Sequence, residues 1–394
     1  MKCRWKLQIY RCYSKDVDID KVLRVSPQRI TYCSLREFSL LYFKGRVIGG
    51  DWDRLEKNFQ NLDIYIALRQ VCVEGKHWSQ TIFYKRIIER LNRGEILWGC
   101  KDKHQFDLRC QTLEDLFHKI KAEGYKSQHE LSLMQKGRDS DPLSVEDEVT
   151  VSIGRHGDFL FSDGAHRLSI SKLLGIQTIP VKIAARHTEW MKFRKELLLY
   201  AMKLGGKIYQ PIMHPDLSHL PSFHVSENRF TMIRNNLSID KGRMLDIGAN
   251  LGYFCHRFED EGFDCYAAEN YPAELYFLRK LKRAENKNFK VIPESILEST
   301  KVRNIHFDVI LALNIFHHFL KTKESYYKFI DLMKHIQMHE LFFQPHLPNE
   351  PQMEHAYKNY NPDEFVDFIL DVSKLKTARL IGKDQDGRKL YKLH

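Results

Sequence analysis

Two things are scarce in this 394-residue sequence: closely spaced cysteine pairs and long apolar runs. The eight cysteines (3, 12, 33, 72, 100, 110, 255 and 265) contain no C-x-x-C pair, which argues against the common zinc modules and the dithiol redox motif. Cys100 and Cys110 flank His104, but at no zinc-module spacing, so no metal is expected. Such thiols read as reduced, and a cytoplasmic setting is expected. No apolar run approaches the ~20 residues that span a bilayer, so no membrane span is expected. Met1–Leu7 is basic but has neither an apolar core segment nor a cleavage site, so no signal peptide is expected. Internal repeats and low-complexity tracts are also lacking, which leaves out solenoids.

Charge is present in excess of one sign, and its distribution is uneven. The net charge is +11. Residues 1–50 hold 11 Lys/Arg against 4 Asp/Glu, whereas residues 201–394 hold 27 against 25. A protein that tracks a phosphate backbone places a basic stripe beside its active site. The half that carries the strongest chemical motif is nearly neutral, so nucleic acid is disfavoured as a partner. Residues 1–50 read as a solvated basic surface.

Length favours two domains. Leu55–Glu74 and Ser79–Arg93 have helical apolar spacing, and Leu113–Glu123 is a further helix. Gln135–Leu143 reads as a loop. Val149–Ile153, a turn at Arg155–Asp158 and Phe159–Phe161 read as a hairpin. Leu168–Leu174, Ile179–Ile183 and Glu189–Leu204 follow as helix, strand and helix. Gly205–Val225 has three prolines and little periodicity and reads as a linker. After Lys241, strands and helices alternate, which predicts a parallel sheet.

The strongest motif is Asp246-Ile-Gly248-Ala249-Asn250-Leu-Gly252, a D-x-G-x-x-x-G pattern between an apolar strand, Met244–Ile247, and a helix, Tyr253–Glu261. The glycines allow a tight strand-to-helix turn with bare backbone beside a ligand. Glu269 ends the next strand, where a carboxylate can accept both hydroxyls of a ribose. The spacing is not the G-x-G-x-x-G of a pyrophosphate turn.

This stretch resembles the S-adenosylmethionine (SAM) loop of class I methyltransferases. The resemblance covers residues 228–394 and implies a Rossmann-like seven-stranded sheet with SAM as cofactor. It places Asp246, Gly248, Ala249, Asn250 and Gly252 under the methionine part, Glu269 on the ribose, and Asn270 and Glu294 by the adenine. Asn314 ends the fourth strand, and His317 and His318 follow it as catalytic candidates facing the donor methyl. An imidazole near its usual pKa of ~6.5 is a suitable base for an alcohol acceptor. The N/D-P-P-Y/F motif of amino-methylating DNA enzymes and a Pro-Cys nucleophile are both missing. The expected acceptor is a small molecule or a glycan-type hydroxyl.

Upstream, Asp163-Gly164-Ala165-His166-Arg167 turns into a helix. A helix start with added His and Arg donors suits a phosphate. Residues 148–186 resemble the core of the ParB/sulfiredoxin-like superfamily. That implies an α+β domain over residues 1–205, with a linker at 206–227. It also implies phosphate binding at Asp163, Gly164, His166 and Arg167, with ATP or CTP and magnesium as ligands. The alternatives are an ATP-dependent small-molecule kinase fused to a methyltransferase and a nucleic-acid-binding protein.

Overall fold

The structure is a computed structural model that describes residues 22–34, 45–128, 130–131 and 148–394. Most of the basic segment 1–50 and the loop expected at 135–143 lie outside the described residues. The chain forms two compact units, Met1–Lys195 and Glu196–His394.

Among its described residues, the first unit has a six-stranded sheet. Its strands are β1 (Val22–Val25), β2 (Tyr32–Cys33), β3 (Arg46–Ile48), β4 (Val149–Ile153), β5 (Phe159–Asp163) and β6 (Ile179–His187). The order is β1-β6-β4-β5-β2, with β3 also paired to β6. The hairpin is antiparallel and β4 runs parallel to β6. Helices α1 (Asp63–Leu68), α2 (Ile82–Asn92), α3 (Lys103–Glu123) and α4 (Ala165–Leu173) share an apolar core built on Phe83, Phe106, Phe117 and Ile170. Helix α5 (Thr188–Lys203) follows β6.

Two sequence expectations change here. Leu55–Glu74 is not one helix. Asn58 accepts the Gln60 N–H at 2.8 Å and starts a separate turn, Phe59–Asn61, that buries Phe59 completely. After α1 a wide turn follows over Arg69–Val73. Helix α3 begins at Lys103, well before the expected Leu113, because Asp102 caps it by accepting the Gln105 N–H at 2.8 Å.

In the second unit, helix α6 (Ser226–Arg234) leads into seven strands. These are β7 (Arg243–Ile247), β8 (Asp264–Ala268), β9 (Lys290–Ile292), β10 (His306–Leu313), β11 (Gln337–Gln344), β12 (Ala378–Lys383) and β13 (Lys389–Leu393). Between them lie α7 (Tyr253–Asp260), α8 (Pro272–Ala284), α9 (Thr300–Arg303), α10 (Lys323–His335) and α11 (Pro362–Val372). The order is β12-β13-β11-β10-β7-β8-β9. Pairs from β9 to β11 are parallel, and only β13 runs against its neighbours. This is a mixed α/β fold with a mostly parallel sheet.

Both faces of the sheet are covered, so side chains alternate between two cores. Leu245, Ile247, Ile310 and Phe343 pack with Phe329 of α10 and Phe365 of α11. Met244, Val309, Leu311 and Phe342 pack on the other face with Phe230 of α6 and Phe254 of α7. The chain leaves β7 toward β8 and returns on the far side of β7 as β10. The crevice between the tips of β7 and β10 is therefore a topological switch point, where open α/β sheets bind ligands.

Residues 206–225 belong to this second unit and bury Ile208, Ile212 and Leu217.

Candidate functional site

A cleft of about 650 Å³ opens at that switch point. Of the residues singled out in sequence, Gly248, Asn250, Glu269, Asn270, Glu294, Asn314, His317 and His318 line it. Asp246, Ala249 and Gly252 lie behind the lining.

The loop after β7 is built from backbone. The Ala268 carbonyl accepts the N–H groups of Gly248 (2.9 Å) and Ala249 (3.0 Å), tying the turn to β8. Gly248 has φ +74°, and a Cβ there would sit 2.7 Å from Ile315 Cδ1. Gly252 starts α7 with φ +85°, and its Cβ would meet Leu278 Cδ1 of α8 at 2.5 Å. Gly248 keeps the cleft floor bare, while Gly252 lets α7 lie close to α8.

Glu269 stands at the tip of β8 with both oxygens oriented. Oε2 accepts the Asn250 N–H and Oε1 the Tyr271 N–H, each at 2.9 Å. Burial raises its pKa above the usual carboxylate range even though these N–H groups pull it down. Each oxygen keeps a lone pair for an incoming hydroxyl.

Asp246 lies beneath the loop, 2% exposed, with Oδ2 buried and unpartnered. Burial pushes its pKa up to about 7, Glu269 adds to the rise, and Arg229 opposes it. Arg229 is itself buried on α6 and donates to Gln344 Oε1 and Ser226 Oγ, each at 3.1 Å.

At the tip of β10, Asn314 adopts φ +56° and accepts from Arg388 Nη1 at 3.2 Å through Oδ1. Its Nδ2 is buried without a partner. His317, 4% exposed, has both ring nitrogens buried and unpartnered. Burial lowers its pKa to about 3, with His318 and His346 adding to the shift, so the ring is neutral at physiological pH. The His318 ring lies 4.1 Å from that of His317, centroid to centroid. His318 opens to solvent, yet one side is packed closely enough that desolvation also holds its pKa down. Glu294 accepts from Ser299 Oγ at 2.7 Å.

Sequence reading passed over several cleft residues, among them Tyr209, His224, Glu274, Gln352 and Arg388. Tyr209 and His224 lie in the stretch read as a linker, and their rings meet edge-on at 4.7 Å. Arg388 follows the β12–β13 turn.

In the first unit, α4 starts at Gly164, whose φ is +87° and which provides no side-chain cap. Asp163 does not cap the helix either, because its Oδ1 accepts the Gly164 N–H at 2.7 Å. The His166 pKa is lowered to about 4 by burial and by the charges of Arg109 and Arg167. The polar cluster at Gly50–Asp53 is a structural clamp: Arg155 donates to Asp53 Oδ1 at 2.6 Å, to Asp51 Oδ1 at 2.9 Å and to the Gly50 carbonyl at 2.8 Å. Among the described residues, no group of three or more His, Cys, Asp or Glu is placed to hold a metal ion. No helix there is long and apolar enough to cross a membrane.

No protein-family model matches this chain, and no curated protein matches it by sequence. Solved structures do. The bifunctional kinase-methyltransferase WbdD is 17% identical over 50% of this chain and 45% of its own, with a TM-score of 0.39. Magnesium protoporphyrin IX methyltransferase (ChlM) from Synechocystis PCC 6803, solved with bound SAM, is 10% identical over 42% and 76%, with a TM-score of 0.32. A SAM-dependent methyltransferase from Methanosarcina mazei is 12% identical over 41% and 94%, also with a TM-score of 0.32. The matched region thus spans a little under half the length of WbdD.

Proposed function

We propose that the C-terminal unit binds S-adenosylmethionine and transfers its methyl group to a small-molecule or glycan-type hydroxyl. The observation that carries this reading is the Glu269 carboxylate, fixed by two backbone N–H groups at a switch-point cleft floored by Gly248. The charges of the site fit the cofactor. SAM is a sulfonium and an ammonium, and the cleft sets Glu269 above an orphaned, fully desolvated Asp246 oxygen.

When bound, the cofactor supplies an electrophilic methyl group. Glu269 accepts the two ribose hydroxyls, and Asp246 places negative charge under the methionine end. Asn270 and Glu294 border the adenine. His317, held neutral, accepts a hydrogen bond from the acceptor hydroxyl and aligns its lone pair. His317 would take that same proton as the oxygen is methylated, and the exposed His318 stands beside it, 4.1 Å ring to ring. Most of the rate gain in such a site comes from alignment. In the first unit, the uncapped start of α4 with His166 and Arg167 is the place where a phosphorylated ligand would bind.

Calorimetric titration of the full chain with SAM tests the reading. Binding is expected, and Glu269→Ala should weaken it by about tenfold or more. No binding to the intact chain would refute it.

A further inference from the structure

The far end of the cleft contains a guanidinium held on one side only. Arg388 leaves the β12–β13 turn, whose backbone is fastened by Asp384: Oδ1 accepts the N–H groups of Asp386 (2.9 Å) and Arg388 (3.0 Å). The Arg388 side chain lines the cleft and is 20% exposed. Its Nη1 points at Asn314 Oδ1, 3.2 Å away, and at Glu350 Oε1, 2.8 Å away. Glu350 is itself fixed, accepting the Leu347 N–H at 2.9 Å and Gln352 Nε2 at 2.7 Å. Among the described residues, nothing accepts from the other edge. Nε is buried and unpartnered, and Nη2 makes no hydrogen bond.

Two contacts through Nη1 fix the plane of the group and leave the Nε–Nη2 edge without an acceptor. That edge is the two-donor fork that matches two oxygens of a carboxylate or phosphate. The ion pair with Glu350 offsets the charge, so the fork acts through direction more than through net charge. A buried N–H without an acceptor is costly, and an occupant of the cleft would relieve it.

From this we infer that Arg388 is an anion-recognition residue of the cleft, its Nε–Nη2 fork receiving a carboxylate or phosphate at the end marked by Asn314. The inference rests on the SAM reading for the identity of its first occupant, the methionine carboxylate of the cofactor itself. An anionic group on the methyl acceptor is the other source of the same chemistry.

The test compares SAM with 5′-methylthioadenosine, which keeps the adenosine and loses the amino-acid end. Calorimetry on the full chain is run for wild type, Arg388→Gln and Arg388→Lys. The expected result is that Arg388→Gln weakens SAM by about 10- to 100-fold, leaves methylthioadenosine within about twofold, and is partly rescued by lysine. If SAM is unchanged, inorganic phosphate is titrated into the SAM-loaded protein. Phosphate binding to wild type that Arg388→Gln abolishes assigns the fork to the acceptor and supports the inference. Equal weakening of both adenosine ligands would make Arg388 a mere prop for Asn314 and overturn it. So would unchanged SAM affinity together with phosphate binding that ignores the substitution. If wild type binds neither adenosine ligand, the SAM reading fails on its own account. Phosphate titrated into the free protein, wild type against Arg388→Gln, then decides the fork separately.

Discussion

At the scale of single residues, the proposed SAM site makes Asp246 a determinant of both binding and stability. Burial raises its pKa to about 7, so in the free protein it is protonated through the acid range. A cationic ligand favours the ionised form, and SAM affinity should therefore rise between about pH 6 and pH 8 and level off above. Stability runs the other way. The folded pKa lies above the unfolded one, so this contribution is complete below about pH 4 and lost as pH climbs through about 7. Asp246→Asn removes the titration. It should flatten the affinity profile, weaken SAM, and stabilise the free protein at pH 8 by ~2 kcal/mol. Calorimetry and thermal melts at about pH 6 and pH 8 check this together, and an affinity that ignores pH in the wild type would count against it. Glu269, which lines the cleft, and Asp246 behind it stood out because the loop and the strand tip are local in sequence. Arg388 did not, because its partner Asn314 is 74 positions away and only the sheet brings them together.

At the scale of elements, the β4–β5 hairpin depends on the Arg155 clamp. Asp53 is 6% exposed, and although burial pushes its pKa up, hydrogen bonds from Arg155 hold it below the usual range. Arg155→Ala would leave that carboxylate buried and poorly compensated, a loss of ~3 kcal/mol in urea unfolding. A depressed pKa contributes stability above the unfolded value that is lost as pH falls through the folded one, so the gap between variant and wild type should narrow below about pH 4. A gap that persists in acid would show that packing, not charge, holds the turn. Element reading succeeded where apolar runs were long. The helix expected at Tyr253–Glu261 runs from Tyr253 to Asp260. It failed where a single polar side chain decides. Asp102 starts α3 in a stretch whose Leu108 is 57% exposed, so the apolar pattern there is weak. Nothing local to the Gly50–Asp53 cluster points to its partner Arg155, more than 100 positions on.

At the scale of the whole molecule, the two units should respond separately to the cofactor. Amide exchange with and without SAM is expected to slow at the β7, β8 and β10 tips and the Gly248–Gly252 loop, and not in residues 22–187. Protection centred on the start of α4 instead would move the adenosine site to the first unit. The sheet carries one further consequence, for how the chain is made. β13 follows β12 in sequence but precedes it in the sheet: it lies between β11 and β12, with Leu393 fully buried opposite Leu341 and Ala378. Until residues 389–393 have been synthesised, β11 presents an unpaired edge, the kind of edge that recruits other chains. The Arg388 fork arrives with the same strand. Pairing the β11 edge and bringing Arg388 beside Asn314 are therefore one event, and a chain cut before Arg388 would expose that edge and lack the fork.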